Sequence, residues 1–328
     1  MIADDSANVN LLEIIPAGPA RNVRIRIGEK VGAVRNRMNN GQDWGRASGE
    51  RAPRSLITVH FDIVRGCQLR CIGCPTATLQ PAVARIDIDT FDRCLGNIDV
   101  RLIGLLRLFN FGEPLLHRDL PGLLNVIPKQ KWKAQNVELS TNAQYTDWPS
   151  FEAALATRVI TRLVVSCDGD GTSESYEAHR PPARWSVLLA FLERARAIRD
   201  RVHPKLHLMT RTICVNAEDR ARWRSVLEPR GWSPEFRDWI ALPESPRSRA
   251  QPPAPGQGIC VFQSGATHIY IDSEGNVVPC CCHPGAAILG NLQHRRLSEI
   301  LIGDKRKTFL AALAVRDPSL QVCSTCAY

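Results

Sequence analysis

The sequence predicts an α/β protein built on a parallel sheet, followed by a smaller cysteine-rich unit. Two observations carry that expectation. Apolar, β-branched stretches alternate with helical ones over residues 57–242, and clustered cysteines recur at residues 67–74 and 260–326, on either side of the Pro-, Ser- and Gly-rich stretch "PESPRSRAQPPAPGQG" (243–258). Strand and helix in alternation imply parallel strands, arranged as an open doubly wound sheet or as a partial or full barrel.

The strands are read in order as "ITVHFDIV" (57–64), "LLRLFN" (105–110), "VELST" (137–141), "RLVVSCDG" (162–169), "LHLMTRTICVN" (206–216) and "EFRDWIAL" (235–242). Between them, helices are expected in "DIDTFDRCLGNI", "LPGLLNVIPK", "PSFEAALAT", "RWSVLLAFLERARAIRD" and "AEDRARWRSVLEP". The fourth has the clearest period, with Trp185, Leu188, Leu189, Leu192 and Ala195 on one face. Before residue 56 lies a basic arm, whose "ARNVRIRIGEK" reads as one short strand among Gly and Asn. After the linker, "THIYIDSEGNVVPCCC" reads as a hairpin turning at Ser273 to Asn276.

Composition narrows the class. At 44% hydrophobic and 23% charged residues, with no apolar run near the roughly 20 residues a membrane helix needs, the chain reads as soluble, with no membrane partner. Its N-terminus, "MIADDSANVNLLEIIPAG", carries acids where a secretion signal has positive charges, so a cytoplasmic location is expected. In that compartment 12 cysteines point to metal ligation or catalysis rather than disulfides. The net charge of +9 is dispersed, with no basic helix face and interleaved aromatics, which argues against a nucleic-acid partner.

Ligands of parallel α/β folds sit beyond the carboxyl ends of the strands. The loops there hold Cys67, Cys71 and Cys74, then Gly112-Glu113-Pro114, Asn142, and Ser166 to Gly169. Three thiolates without a fourth leave one iron of a four-iron cluster open to an external ligand, whereas structural zinc wants a closed set of four. A zinc site completed by His or by Cys94 is the alternative. Gly112 lets backbone approach a ligand, Glu113 offers a carboxylate to an ammonium group, and Thr141, Asn142, Ser166 and Asp168 are short polar side chains suited to ribose hydroxyls or a carboxylate. Ser166 and Asp168 share a strand face, and Cys167 points away into packing. Cys260, one of Cys280 to Cys282, Cys323 and Cys326 make a second, four-thiolate set.

The loop "CQLRCIGC" resembles the CxxxCxxC cluster loop of the radical S-adenosylmethionine (SAM) superfamily. Three further segments follow in that family's order: "FNFGEPLLHRDL" resembles its second-strand Gly-Glu segment, "ELSTNA" its third-strand "TNG" segment, and "VVSCDGDGTSESYEAHR" its fourth-strand "SxDG…Y…R" segment. Residues 260–326 resemble the auxiliary-cluster module called twitch, a relative of the SPASM module. Two positions depart from the pattern, Gly73 where many relatives have an aromatic residue, and Phe111 where others have glycine.

The resemblance implies a partial (β/α)6 TIM-like barrel at residues 56–242 and a twitch module with a β-hairpin at 259–328. It implies that Cys67, Cys71 and Cys74 hold a 4Fe–4S cluster whose fourth iron is chelated by SAM, with Gly112, Glu113, Thr141, Asn142, Ser166 and Asp168 around that cofactor. A second 4Fe–4S cluster would be held by Cys260, Cys280, Cys323 and Cys326; Cys281 and Cys282 are spare. Reduction by an external flavodoxin- or ferredoxin-type donor would cleave SAM to a 5′-deoxyadenosyl radical, which removes a carbon-bound hydrogen. The substrate expected is a small polar metabolite of sugar or aminocyclitol type, to be dehydrogenated or epimerised. For epimerisation, Cys214 or Cys281 is the candidate catalytic thiol, with packing in the core as the other reading of Cys214. Maturation of a ribosomally made peptide and a zinc-stapled nucleic-acid-binding protein are the alternatives.

Overall fold

The computed structural model describes residues 52–214, 216–238 and 268–326. The first 51 residues of the arm, the Pro-rich stretch 243–258 and Cys260 lie outside the described residues. The chain enters through β1 (Ser55–Phe61), makes a two-residue ladder between β2 (Val64–Arg65) and β3 (Ala84–Arg85), and continues with β4 (Leu102–Arg107), β5 (Lys133–Thr141), β6 (Arg162–Ser166), β7 (His207–Ile213) and β8 (Ser233–Arg237). Strands β1, β4, β5, β6, β7 and β8 pair in that order, all parallel.

The five expected helices return the chain between strands, at Ile88–Gly96, Leu120–Val126, Trp148–Ala156, Trp185–Val202 and Ala217–Leu227. Four of them start at an Asp or Asn cap: Asp87, Asp119, Asp147 and Asn216 accept from the amides of Thr90, Gly122, Ser150 and Asp219. Burial of Leu188, Phe191, Leu192, Ala195 and Ile198 confirms the face read for the fourth helix, shifted so that Trp185 and Leu189 lie at its margin. Helices at Ser173–His179, Leu297–Ile302 and Asp304–Ala314 were not expected. The first, "SESYEAH", is mostly polar and buries only Tyr176 and His179, so its periodicity is faint. Among the described residues no helix is long and apolar enough to cross a membrane.

Phe61 stacks on Phe91 of helix Ile88–Gly96 at 5.0 Å, which marks one face of β1 as the helix side. His60 therefore faces the other way, and the register carries that inner face across to Arg107, Glu138 and Arg162.

The C-terminal hairpin is continuous with this sheet rather than separate from it. Strands β9 (His268–Ile271) and β10 (Asn276–Val278) are antiparallel as expected, and β11 (Gly290–Asn291) follows. Asp272 shapes the turn by accepting from the amides of Glu274 and Asn276. β9 then pairs in parallel with β1, giving nine strands in the order β11-β10-β9-β1-β4-β5-β6-β7-β8.

Asp62, one residue past β1, joins the two parts. Its buried carboxylate accepts from the amides of Asn110, Phe111 and Gly112 and from the Tyr270 hydroxyl at 2.9 Å. The Leu108 amide still donates to the Glu138 carbonyl, and the amides of Asn110, Phe111 and Gly112 then turn to Asp62, so the ladder ends before residue 110. Burial raises the Asp62 pKa from 3.8 to about 6, against the pull of the Phe111 amide, Tyr270 and the other two amides. The folded chain thus binds more protons than the unfolded one between those values, and stability falls as pH rises through them. Asp62→Ala is expected to lower unfolding free energy at pH 7 by about 3 kcal/mol, since four donors lose their acceptor, and to abolish the loss of stability between pH 5 and 7. Urea unfolding of both proteins at the two pH values checks it; an unchanged pH slope in the variant would assign that slope elsewhere.

Candidate functional site

The cysteine loop is gripped from two sides. On one side Gly112 lies so close to the strand leading into the loop that a Cβ there would sit 1.6 Å from the Val64 carbonyl oxygen. The Glu113 amide donates to the Gly66 carbonyl at 3.1 Å, and the Thr76 hydroxyl to the Phe111 carbonyl at 2.8 Å. On the other side the amides of Arg70 and Ile72 donate to the carbonyls of Pro181 and His179. The "GEP" segment and the end of "SESYEAHR" therefore hold the loop between them, with all three of Cys67, Cys71 and Cys74 half-buried. Gly73 sits at φ +77, a backbone state that glycine adopts readily and an aromatic residue only under strain. Phe111, the other departure, packs edge-on against Tyr270 of the hairpin at 5.8 Å.

Glu113 is buried and ties the second- and third-strand segments together. One oxygen accepts from the Thr141 hydroxyl at 2.7 Å and the Leu115 amide at 3.0 Å, the other from the Asn142 amide at 2.7 Å. Burial raises its pKa, and the hydrogen bonds from Asn142, Leu115 and Thr141 oppose the rise. Three contacts leave a carboxylate with one acceptor position for a cation. The Asn142 side-chain amide reaches the Cys67 sulfur at 3.3 Å, and its carbonyl accepts from Gln68 at 3.1 Å. Thr141, Glu113, Asn142, Gln68 and Cys67 thus form one hydrogen-bonded set across the carboxyl ends of β1, β4 and β5.

Beyond β6, Asp168 accepts from the Ile213 amide and from Arg180, which is buried. Burial works against the Arg180 charge, but Cys71, Asp168 and Tyr176 outweigh it and hold the pKa well above the usual value. Its Nε is buried without a hydrogen-bond partner, and its field reaches Cys67 and Glu113 as well. Ser166 is half-buried on the inner face, and among the described residues its hydroxyl makes no hydrogen bond.

Some expected roles change. Gly112 is required by the Val64 carbonyl. Thr141 spends its proton on Glu113, and Asp168 is committed to Arg180 and Ile213, so both position other groups. Cys214 is 2% exposed and continues the β7 ladder one residue past Ile213, which puts it on the helix side with Thr210 and Thr212 instead of the inner face. That placement removes it as the thiol facing a substrate. Cys94 is buried beneath the hairpin turn, where a Cβ on Gly275 would lie 2.7 Å from its sulfur, so it does not complete the loop's ligands. Cys167 is buried, as read. Sequence reading missed Asp62, Gln68 and Arg180; a lone acid in an apolar strand and the last residue of the quoted fourth segment were the available signals.

Among the described residues no three His, Cys, Asp or Glu side chains converge as they would on one metal ion, whose bonds to sulfur are only about 2.3 Å long. The three half-buried thiols of the loop suit a polynuclear cluster, which spans a wider triangle of ligands. Burial drives the Cys71 thiol up to about 12 and the Cys67 thiol in the same direction, so ionised sulfurs there call for a cationic partner. In the C-terminal part, Cys280, Cys281 and Cys323 all pack against Tyr270, Val278 and Ala286. The Cys280 sulfur accepts from the Cys282 amide at 3.2 Å, and the Cys281 carbonyl from Asn110 at 3.0 Å.

Residues 260–327 match the family model of SPASM, an iron–sulfur cluster-binding domain. No curated protein matches the sequence. The fold is similar to that of BtrN, solved in complex with AdoMet and 2-DOIA, with a TM-score of 0.51 and 15% identity over 83% of this chain and 92% of that one. It is also similar to anSMEcpe with bound AdoMet, at a TM-score of 0.56 and 15% identity over 77% of this chain and 82% of that one. A complex of anSMEcpe with AdoMet and the Cp18Cys peptide gives a TM-score of 0.55 at 14% identity, with the same coverage. This chain shares the fold of those AdoMet-bound proteins, a partial barrel of parallel strands, and carries a SPASM-type iron–sulfur cluster-binding domain at residues 260–327.

Because the Val64 carbonyl fills the space beside Gly112, Gly112→Ala is expected to displace the cysteine loop. After anaerobic reconstitution the variant should keep its helical circular dichroism and lose about half of its bound iron. Full iron retention would show that the loop tolerates the shift.

Proposed function

We propose that this chain is a radical SAM enzyme acting on a small polar metabolite of sugar or aminocyclitol type, by dehydrogenation or epimerisation. The observation that carries the reading is the single hydrogen-bonded set of Cys67, Gln68, Asn142, Thr141 and Glu113, closed on its far side by Arg180. Cys67, Cys71 and Cys74 would hold the first 4Fe–4S cluster. Glu113 has an acceptor position left for the ammonium of SAM, and the buried guanidinium of Arg180, aimed by Asp168, suits its carboxylate. Ser166 has a hydroxyl available for the ligand. When bound, the cluster and SAM supply a one-electron cleavage that yields a carbon radical able to take a hydrogen atom. The protein's own residues bind, orient and keep water out: Asn142 steadies the Cys67 sulfur, Thr141 holds the Glu113 carboxylate, and Tyr176 and Cys167 close the floor behind Arg180.

Cys260, Cys280, Cys323 and Cys326 would hold the auxiliary cluster, which offers a second-electron acceptor for an oxidation. Cys281 remains as the candidate thiol for epimerisation: it packs beside Cys280, within the field of Arg107 on the inner face. An external one-electron donor of flavodoxin or ferredoxin type is required. BtrN, solved with 2-DOIA, supports a small-molecule substrate; anSMEcpe, solved with a peptide, supports the alternative of peptide maturation.

Anaerobic reconstitution with iron and sulfide, metal analysis, and an assay for 5′-deoxyadenosine with SAM and a strong reductant test the reading. Wild type should hold about eight irons and form 5′-deoxyadenosine. A Cys67→Ala, Cys71→Ala, Cys74→Ala triple variant should keep one cluster and form none. Zinc in place of iron, with no SAM cleavage, would return the protein to the zinc-binding class. Arg180→Gln is expected to weaken SAM binding about tenfold, read by equilibrium dialysis, while leaving the iron content unchanged.

A further inference from the structure

Below the cysteine loop, the inner face of the sheet carries a layer of charges where a barrel of this kind ordinarily packs branched apolar side chains. Glu138 of β5, almost wholly buried, contacts Arg107 of β4 at 3.1 Å and Arg211 of β7 at 3.2 Å. Arg211 also contacts Glu235 of β8 at 3.2 Å, and Glu235 is in turn held by Arg237 at 2.5 Å. Three guanidiniums thus share two carboxylates, one positive charge in excess, and Arg162, the register partner of Glu138, adds in the same direction.

The neighbouring histidines do not offset that excess. His60, 6% exposed, reaches Arg107 through Nε2 at 3.4 Å, and its Nδ1 is buried with no hydrogen-bond partner. Burial, then Arg107, His268, Arg211 and Arg237, push its pKa well below the ordinary value, so it adds a neutral ring and not a charge. Burial and Arg211 likewise lower the pKa of Arg237, while Glu235, the carboxylate it shares with Arg211, opposes the shift. A closed structural network would end in matched pairs. This one ends in Arg237, whose side chain is 35% exposed at the carboxyl end of β8, where ligands of such sheets bind. It also adjoins the cofactor residues, since Arg211 is the register partner of Ser166.

We propose that this layer is the substrate subsite and that the substrate carries an oxyanion, a phosphate or a carboxylate, seated on Arg211, Arg237 and His60. The inference deepens the proposed function and rests on it for the word substrate; the anion site stands on its own geometry. It narrows the substrate class, because the ammonium of an aminocyclitol without an acidic group would enter an already cationic layer, whereas an acidic or phosphorylated sugar or cyclitol supplies the missing counter-charge. Guanidinium pairs are suited to both oxyanions.

The test uses inorganic phosphate on the reconstituted full chain, by equilibrium dialysis at low salt with acetate as competitor. Wild type should bind phosphate saturably. Arg211→Gln and Arg237→Gln should each weaken it about tenfold, Arg237→Lys should retain part of the affinity, and Glu235→Gln, which removes a competing carboxylate, should tighten it. Arg295→Gln, exposed in the bend before helix Leu297–Ile302 and paired with Glu299, controls for net charge and should change nothing. Displacement by acetate at comparable concentration identifies a general carboxylate-accepting site, and resistance to acetate identifies a phosphate site; both support the proposal. No saturable binding, or equal binding by wild type and all variants, overturns it. SAM cleavage measured on the same samples separates the two readings. Phosphate binding lost in the arginine variants without any SAM cleavage would leave the anion site standing and sink the radical reading; cleavage without phosphate binding would do the reverse.

Discussion

The arrangement depends most on the Asp62 carboxylate, a buried charge with no cation against it. Three consecutive amides and one phenol surround it. Such a set compensates desolvation with oriented dipoles, and its geometry is what shapes the site. By drawing the amides of Asn110, Phe111 and Gly112 out of the β4 ladder, it turns the chain so that Gly112 meets Val64 and Glu113 meets Thr141 and Asn142. By accepting from Tyr270 it also fastens the cysteine-rich hairpin to the strand end from which the first cysteine loop departs. The two cysteine groups share one sheet and one anchoring carboxylate.

Charge is then distributed in two levels. At the mouth, Glu113 and Arg180 are single buried charges whose remaining contacts are protein dipoles or one acid, each with capacity left over. Beneath them, Arg107, Glu138, Arg211, Glu235 and Arg237 pair along the inner face with cations in the majority. Burying so many ionised groups is unfavourable unless they are paired, so a residual imbalance inside a barrel points outward to what enters it.

The order of strands and helices was legible because most of the strands are apolar and four of the five expected helices begin with a capping Asp or Asn. Boundaries were less so. The expected strand at 105–110 is displaced to Leu102–Arg107 because a side chain distant in sequence competes for its amides. Cys67, Cys71 and Cys74 and the Glu113 and Asn142 segments were legible from spacing and composition. Whether Cys214 packs or faces a ligand stayed open, because alternation along β7 had no partner strand to fix which face was which. The structure decides it, turning Arg211 inward and Cys214 toward the helices. Arg180 was passed over although it ends the quoted fourth segment, since its place just past a polar helix gives no hint of burial.

By itself the sequence determined the thiolate spacing, the alternation that makes a parallel sheet and the order of the strand-end segments, all of which are properties of residues near one another along the chain. Only the tertiary structure decided that Asp62 meets Tyr270 across 208 residues and Asn142 meets Cys67 across 75. It alone assembled the inner layer of arginines and glutamates from four separate strands. The physical reason is that a buried charge selects its partners by distance and direction in space, and one sequence carries no local mark of which donor or cation will arrive beside it.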